Sequence, residues 1–242
     1  MERRLPQAFD FIPAVPVEVR RMSPDREAVS PGAFYDFAAP DGSRPGIFWV
    51  NLRDTAEWPT WKVPTTTYHE TVPGHHLQTT TAMMIKGMPE IRKSLFFGAH
   101  GEGWALYAEQ LAEELGAYEN DDAGRIGRLQ FLLFRAARLV IDTGLHRRRW
   151  TRRQGIDYMM ATLGNTETVA ASEIDRYLLN PGQATSYKVG HNAILAARER
   201  ARQKLGSSFA IKGFHAAVIG SGAVPLSIMD ELVDAWVKQV RP

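Results

Sequence analysis

The chain has 242 residues, enough for one substantial domain with a buried core or for two small ones. Its hydrophobic fraction of 44% and charged fraction of 23% are typical of a globular protein, and its formal net charge of +2 gives little support to a polyanionic partner. The absence of cysteine excludes disulfides, thiol nucleophiles and cysteine-ligated zinc.

The first 64 residues contain three short runs rich in β-branched and aromatic residues, namely VPVEVRRM (15–22), GAFYDFAA (32–39) and GIFWVNL (46–52). The turn-forming clusters SPDREAVSPG and APDGSRPG separate them. This pattern predicts a small antiparallel β-sheet. We expect GIFWVNL to lie in the core, and its strand or Asn51 is a candidate to pair with an extended substrate at a sheet edge.

From Thr65 onward the pattern is helical, and about seven or eight helices are predicted. The first begins near TTTYHE, and the others cover approximately 101–118, 121–146, 166–179, 183–206, 208–222 and 225–240. The basic run HRRRWTRR (146–153) is typical of a solvated helix end, which we favour over a nucleic-acid contact.

These patterns predict a mainly α-helical chain with a small antiparallel sheet near its N-terminus. We interpret residues 1–242 as a single domain with a strand-rich lead-in (1–64) and a helical part (65–242), which could be a fragment of a longer protein. No apolar run of about 18 residues occurs, so we expect no membrane span. The N-terminal segment lacks an apolar core of signal-peptide length, so a cytoplasmic location is the default expectation.

Three of the seven histidines lie in the stretch TTTYHETVPGHHLQTT (65–80), which begins like the helix of a zinc peptidase. Two helical histidines bind one ion when they lie four residues apart. In a regular helix, His69 and His75 would point about 120° apart, and His69 and His76 would lie about 10 Å apart along the axis. An unbroken helix here therefore excludes a shared metal.

A break at TVPG (71–74) removes this obstacle. Pro73 lacks the N–H that would bond to the carbonyl of His69, and Gly74 has unusual backbone freedom. A bulge that absorbs two residues would return His75 to the position that the second ligand normally occupies. We therefore predict His69 and His75 as zinc ligands, with His76 next to the metal site or against the substrate, although His76 stays open as the second ligand.

Acidic residues complete the predicted site. Glu70 directly follows the first ligand, where a carboxylate can take a proton from a metal-activated water molecule. Glu102, in the next amphipathic helix, is the best candidate for a third ligand. Glu109, two turns further on the same face, could support Glu102 or orient a histidine.

Five ordered motifs resemble the C-terminal half of the bacterial domain-of-unknown-function-885 family: YHETVPGHHLQ, EGWALYAEQLAEELG, RLVIDTGLH, NPGQATSYKVG and FHAAVIGSGAVPLSIMDELV. The resemblance covers roughly residues 30–240. That family looks like a distant relative of the helical zinc peptidases, or zincins, such as carboxypeptidase Taq and the thimet oligopeptidase group. Family members are considerably longer and carry a helical N-terminal half.

The resemblance implies a zinc-dependent hydrolase, a metallopeptidase that acts on a peptide substrate. It places the zinc-binding Gly-His pair at Gly74-His75 and the glutamate ligand at Glu102. The SYKVG segment resembles a Tyr-x-x-Gly stretch, which implies that Tyr187 stabilises the oxyanion of the transition state. Because such enzymes bind substrate between two halves, an N-terminal helical domain or a second copy of the chain is the implied partner.

Other polar residues have structural interpretations of similar or greater weight. His191, one turn after Tyr187, and His146, at a helix end, could each border the site or simply stabilise the fold. Asp142 could pair with His146 on one helical face. Three arginines could bind a terminal carboxylate of a peptide, although a structural role is favoured for each: Arg138, Arg176 and Arg198.

Three alternatives to a peptidase stay open. The chain could be a zinc-binding domain without catalysis of its own, a hydrolase of a non-peptide amide or ester, or a basic nucleic-acid-binding domain. The last of these would bind in a strongly salt-dependent manner.

Overall fold

The computed structural model describes residues 1–27, 30 and 32–240. Three strands form one sheet near the N-terminus: β1 (Val17–Arg21), β2 (Ala33–Asp36) and β3 (Gly46–Val50). Their order is β1-β3-β2, with β1 parallel and β2 antiparallel to β3. The small sheet is thus confirmed, but it is mixed rather than antiparallel.

The parallel direction of β1 could not be predicted from the sequence, because parallel and antiparallel strands show the same alternation of side chains. The chain between β1 and β3 contains β2, so it reverses twice and brings β3 back in the direction of β1. Within the predicted turn cluster 23–32, Pro24–Glu27 form a single helical turn, α1. Ala28, Val29 and Pro31 of that cluster lie outside the described residues.

The prediction that GIFWVNL pairs with substrate at a sheet edge is wrong. β3 is the central strand and is hydrogen-bonded on both sides. Asn51 is buried, and its amide donates to the backbone carbonyls of Glu27 and Ser30 at 2.8 and 3.2 Å. The side chain of Asn51 therefore holds the end of the sheet against the preceding turn.

The rest of the described chain is mainly helical, as predicted. The helices are α2 (Val63–Glu70), α3 (His75–Met83), α4 (Glu90–Ser94), α5 (Gly98–Glu114), α6 (Asp122–Arg147), α7 (Arg152–Leu163), α8 (Glu167–Leu179), α9 (Gln183–Leu205), α10 (Ile211–Ile219) and α11 (Leu226–Val240). No helix in the described part of the chain is long and apolar enough to cross a membrane.

Helix α7 was not predicted as a separate element. Its basic start was interpreted as the solvated end of α6, because no glycine or proline marks a boundary there. In the structure Arg149 takes a left-handed conformation (φ 57°), and Thr151 and Gln154 form a capping box that starts α7. Two arginines of the run are ion-paired with acids of α8: Arg152 with Asp175 and Arg153 with Glu167.

Helices α5 and α9 cross at the centre of the molecule and fix the positions of the site residues that each carries. Two glycines make the crossing close: a Cβ on Gly190 would lie 1.7 Å from the carbonyl oxygen of Ala99, and one on Gly103 would lie 2.5 Å from the backbone of Gly190. Fully buried Trp104 and Ile194 pack in the adjoining core.

Gly190→Ala is expected to lower the free energy of unfolding by about 3 kcal/mol, at the upper end of what inserting a methyl group into a packed core usually costs. The reason is that the new methyl group meets backbone atoms that cannot move aside. Urea unfolding measures the change. Gly98→Ala in the same interface is the control, because its Cβ would lie 3.6 Å from Ser186. Equal stability of the two variants would contradict the close crossing.

Candidate metal centre

The helix through residues 63–83 is interrupted where the sequence predicts. α2 ends at Glu70 and α3 begins at His75, with Val72-Pro73 in the cis form between them. A Cβ on Gly74 would lie 1.9 Å from the carbonyl oxygen of His69, so only glycine fits this reversal. The indole N–H of Trp104 donates to the carbonyl of Pro73 at 3.0 Å and ties the break to α5.

The break brings His69, His75 and Glu102 together. One ligand atom from each lies within 4.8 Å of the other two. Glu102 Oε2 lies 3.6 Å from Nε2 of His69 and 3.3 Å from Nε2 of His75. The two imidazole rings are nearly perpendicular, with their centres 4.9 Å apart. All three side chains are buried, so the cluster is a defined internal site rather than a surface group of acids.

This donor set fits a zinc ion. Ligands held at about 2.0–2.2 Å in a tetrahedron are separated by roughly 3.3–3.5 Å, which is close to the two distances from Glu102. Glu102 Oε2 is also a buried acceptor without a hydrogen bond from any described residue, although two nitrogens lie near it. Nδ1 of His75 likewise has no partner among the described residues.

Glu109 orients the first histidine. Its carboxylate lies 2.7 Å from Nδ1 of His69, which leaves Nε2 to face Glu102. This is the carboxylate–histidine arrangement that commonly fixes the ring of a metal ligand. Burial opposes the charged form of His69, but Glu102 and Glu109 outweigh it and raise its pKa to about 9. The pKa of Glu102 is well below its usual range, because the two histidines outweigh its burial.

The predicted proton acceptor and the predicted oxyanion donor both adjoin the cluster. Glu70 is buried and close enough to His69 to act on its charge, and its carboxylate accepts no hydrogen bond from the described residues. The ring of Tyr187 stacks near that of His69, with centres 6.1 Å apart. Gln183 Nε2 lies 3.2 Å from the Tyr187 hydroxyl and 3.3 Å from Glu102 Oε1. Burial and the nearby Glu102 raise the pKa of Tyr187, which favours its protonated form.

His76 points away from the cluster. Its Nδ1 is hydrogen-bonded to the hydroxyl of Tyr35 at 2.8 Å, and its Nε2 is 2.9 Å from the carbonyl oxygen of Val15. Between the two candidates for the second ligand, the geometry thus favours His75. His76 connects α3 to β2 and to the N-terminal segment.

Two further candidate histidines make structural contacts elsewhere. Nε2 of His191 is 3.2 Å from the side-chain oxygen of Gln110, and Nδ1 lies 3.0 Å from Lys188 Nζ. Nε2 of His146 lies 3.0 Å from the backbone carbonyl of Tyr177 at the end of α8.

The predicted Asp142–His146 pair does not form. Asp142 instead accepts from the backbone N–H of Gly182 at 3.1 Å, and so fixes the start of α9, because the α8–α9 turn lies within its reach. The three arginines considered for a terminal carboxylate already have acidic partners. Arg138 and Arg176 pair with Glu173, and Arg198 pairs with Glu114.

Three residues near the cluster were missed by the sequence analysis: Gln183, Arg135 and Phe96. Phe96 is 44% exposed, and its ring centre lies 6.2 Å from that of His75 and 6.3 Å from that of Phe37. One signal was available for Arg135, since residues 135, 138, 142 and 145 recur at helical spacing and are all buried in α6.

Two solved structures are similar to this chain. One is described as a "putative lipoprotein" from Colwellia psychrerythraea; it is 44% identical, with a TM-score of 0.96 over 98% of this chain and 41% of that one. The other, a "putative lipoprotein of unknown function" from Shewanella oneidensis, is 23% identical, with a TM-score of 0.78 over 96% of this chain and 44% of that one. The second likeness concerns the fold alone. This chain thus spans less than half the length of either protein.

Comparison with curated proteins finds no match. A family model described as "Bacterial protein of unknown function (DUF885)" matches residues 1–233, nearly the whole chain. The chain therefore belongs to the DUF885 family, as its five motifs indicated.

Proposed function

We propose that this site binds one zinc ion and hydrolyses a peptide or a related amide bond. The observation that carries the proposal is the convergence of His69, His75 and Glu102 across an interrupted helix. Two imidazoles and one carboxylate leave part of a zinc coordination sphere open, as in catalytic zinc sites. A bound zinc ion would lower the pKa of a water molecule and polarise a carbonyl group.

The residues around the ligands suit this chemistry. Glu70 adjoins the first ligand but is not one of the three, and no described residue donates a hydrogen bond to its carboxylate. It is therefore free to accept a proton from water and to return that proton to the leaving nitrogen. Tyr187, on α9, would donate its hydroxyl hydrogen to the developing oxyanion. Glu109 keeps His69 in the orientation that a ligand requires.

A second candidate follows from the length of the relatives. Because this chain spans 41% and 44% of the two similar structures, the longer proteins contain much more chain than the metal centre. The chain would then be a zinc-binding half whose substrate cleft needs an N-terminal helical domain or a second copy. Those relatives, being described as lipoproteins, favour attachment to a membrane surface for the longer protein over the default cytoplasmic location.

The test is metal binding followed by hydrolysis. Purified chain, stripped with a chelator, is titrated with zinc and separately with iron(II), since two histidines and a carboxylate also suit iron. We expect one tightly bound zinc per chain, and new peptide termini from a peptide mixture, detected by mass spectrometry, only in the zinc-loaded sample. Absence of stoichiometric metal would reject the site, whereas zinc without cleavage would favour the half-enzyme.

A further inference from the structure

Arg135, on α6, is a buried arginine that packs over aromatic rings, Tyr187 among them, but has no hydrogen bond or ion pair with a described residue. Only 8% of the residue is exposed, and Nε makes no hydrogen bond in the described part of the chain. The described residues also offer it no ion pair. A buried guanidinium stays positively charged, and contacts with ring faces leave its hydrogen-bond donors unused. The side chain is therefore available to bind an anion from outside the protein.

The neighbouring Arg138 is an example of a structural arginine, because its guanidinium is hydrogen-bonded to other side chains of the protein. Arg138, one turn further along α6, donates to the Tyr177 hydroxyl at 2.9 Å and to Glu173 Oε2 at 2.8 Å. That carboxylate also accepts from Arg176 at 3.0 Å, so the acid is already shared by two arginines. No acid among the described residues forms such an ion pair with Arg135. The difference between the two arginines is thus in partners, not in burial.

Arg135 lies beside the metal-ligand cluster. Its guanidinium carbon is 4.0 Å from the ring centre of Tyr187, and the same ring stacks near His69. The cluster carboxylates Glu102 and Glu109 are close enough to act on the charge of Arg135. A ligand held by Arg135 would consequently lie within reach of the groups proposed to react.

We propose that Arg135 binds a carboxylate of the substrate and so places the bond to be cleaved at the metal centre. This inference rests on the proposed hydrolytic function. The planar guanidinium matches a carboxylate with two parallel hydrogen bonds. A carboxylate suits the proposed reaction better than a phosphate, because a carboxylate is the anion that a peptide substrate itself carries. The carboxylate can come from the C-terminus of a peptide or from an acidic side chain.

Three matched peptides separate these sources: one with a free C-terminus, its C-terminal amide, and an amide that carries glutamate at the last position. We expect wild type to prefer a carboxylate-bearing peptide. Arg135→Gln should lower kcat/KM for that peptide by about 10- to 100-fold, mostly through KM, because a charged hydrogen-bonded partner is lost. Cleavage of the plain amide should hardly change. Arg135→Lys keeps the positive charge but cannot form two parallel hydrogen bonds with a carboxylate. Its kcat/KM for the carboxylate-bearing peptide should lie between those of wild type and Arg135→Gln.

Arg125→Gln is the control, because Arg125 lies on the same helix with a side chain that is 58% exposed. If Arg135 merely balances the buried charge of Glu102 and Glu109, Arg135→Gln should weaken zinc binding and slow all three peptides equally. That result, or a wild-type preference for the plain amide, would overturn the proposal.

A binding measurement keeps this inference separate from the hydrolytic proposal. N-acetyl-phenylalanine, whose ring suits exposed Phe96, and its uncharged amide are titrated into the zinc-loaded chain by calorimetry. We expect wild type to bind the acid at least about 10-fold more tightly than the amide, and Arg135→Gln to lose that difference. If no peptide is cleaved but the difference holds, hydrolysis fails and the carboxylate site stands. Equal binding of acid and amide by wild type rejects the carboxylate site alone.

Discussion

Glu70→Gln is expected to lower kcat for peptide hydrolysis by about 10²- to 10⁴-fold while the chain still binds one zinc ion. The glutamine side chain has nearly the same shape as glutamate but cannot accept a proton. Glu70 is not among the three side chains that converge on the metal position, so its replacement leaves the ligand set intact. Zinc content and steady-state kinetics of the same preparation measure the two quantities together.

Glu90→Gln provides the matched control, because the side chain of Glu90 is 81% exposed on the short helix α4. It should keep both zinc and activity. Two results would contradict the role given to Glu70. Activity within a few-fold of wild type would show that another group takes the proton, and loss of zinc would show that Glu70 is itself a ligand.

The break in the helix could be predicted because its cause lies within four residues. Pro73 and Gly74 disrupt a regular helix wherever the chain places them, and the histidine spacing then favours His75 as the second ligand, with His76 still open. Glu102 was predicted because helical zinc peptidases often take a glutamate ligand from a following helix, and Glu109 because it lies two turns further on the same face. Local chemistry thus carried most of the information about the cluster.

The remaining features depend on contacts between distant parts of the chain. His76 is turned away from the cluster by Tyr35 and Val15, which precede it by 41 and 61 residues. Strand β1 pairs in parallel because of the path between β1 and β3. Sequence periodicity specifies which face of an element is buried, but not what lies against that face.

Arg135 illustrates the same limit at the site. Its position on a buried stripe of α6 can be seen in the sequence, and so can that of Arg138. Which of the two lacks an acid depends on the position of Glu173 on α8. From the sequence Arg138 was a candidate for carboxylate binding, whereas in the structure Arg135 is the one of the two without an acid partner among the described residues.

Glu102→Ala is expected to weaken zinc binding by more than about 100-fold, because residues that only orient a ligand are usually worth 10- to 100-fold. Glu109→Ala, which removes such an orienting contact to His69, should stay within that range. A larger loss of zinc affinity in Glu102→Ala than in Glu109→Ala would distinguish a metal ligand from a residue that only orients one. Competition with a chelating dye of known zinc affinity measures both.

Thermal unfolding supplies an independent measurement of the same assignment. A ligand that binds only the folded chain stabilises it by about 4 kcal/mol when present at 1,000 times its Kd. Zinc should therefore raise the Tm of wild type and of Glu114→Ala, whose carboxylate pairs with Arg198. A site weakened by 100-fold or more keeps at most about a third of that stabilisation at the same zinc concentration, so zinc should raise the Tm of Glu102→Ala far less. If zinc stabilises all three chains equally, the metal binds elsewhere, and the hydrolytic role of Glu70 and Tyr187 loses its basis.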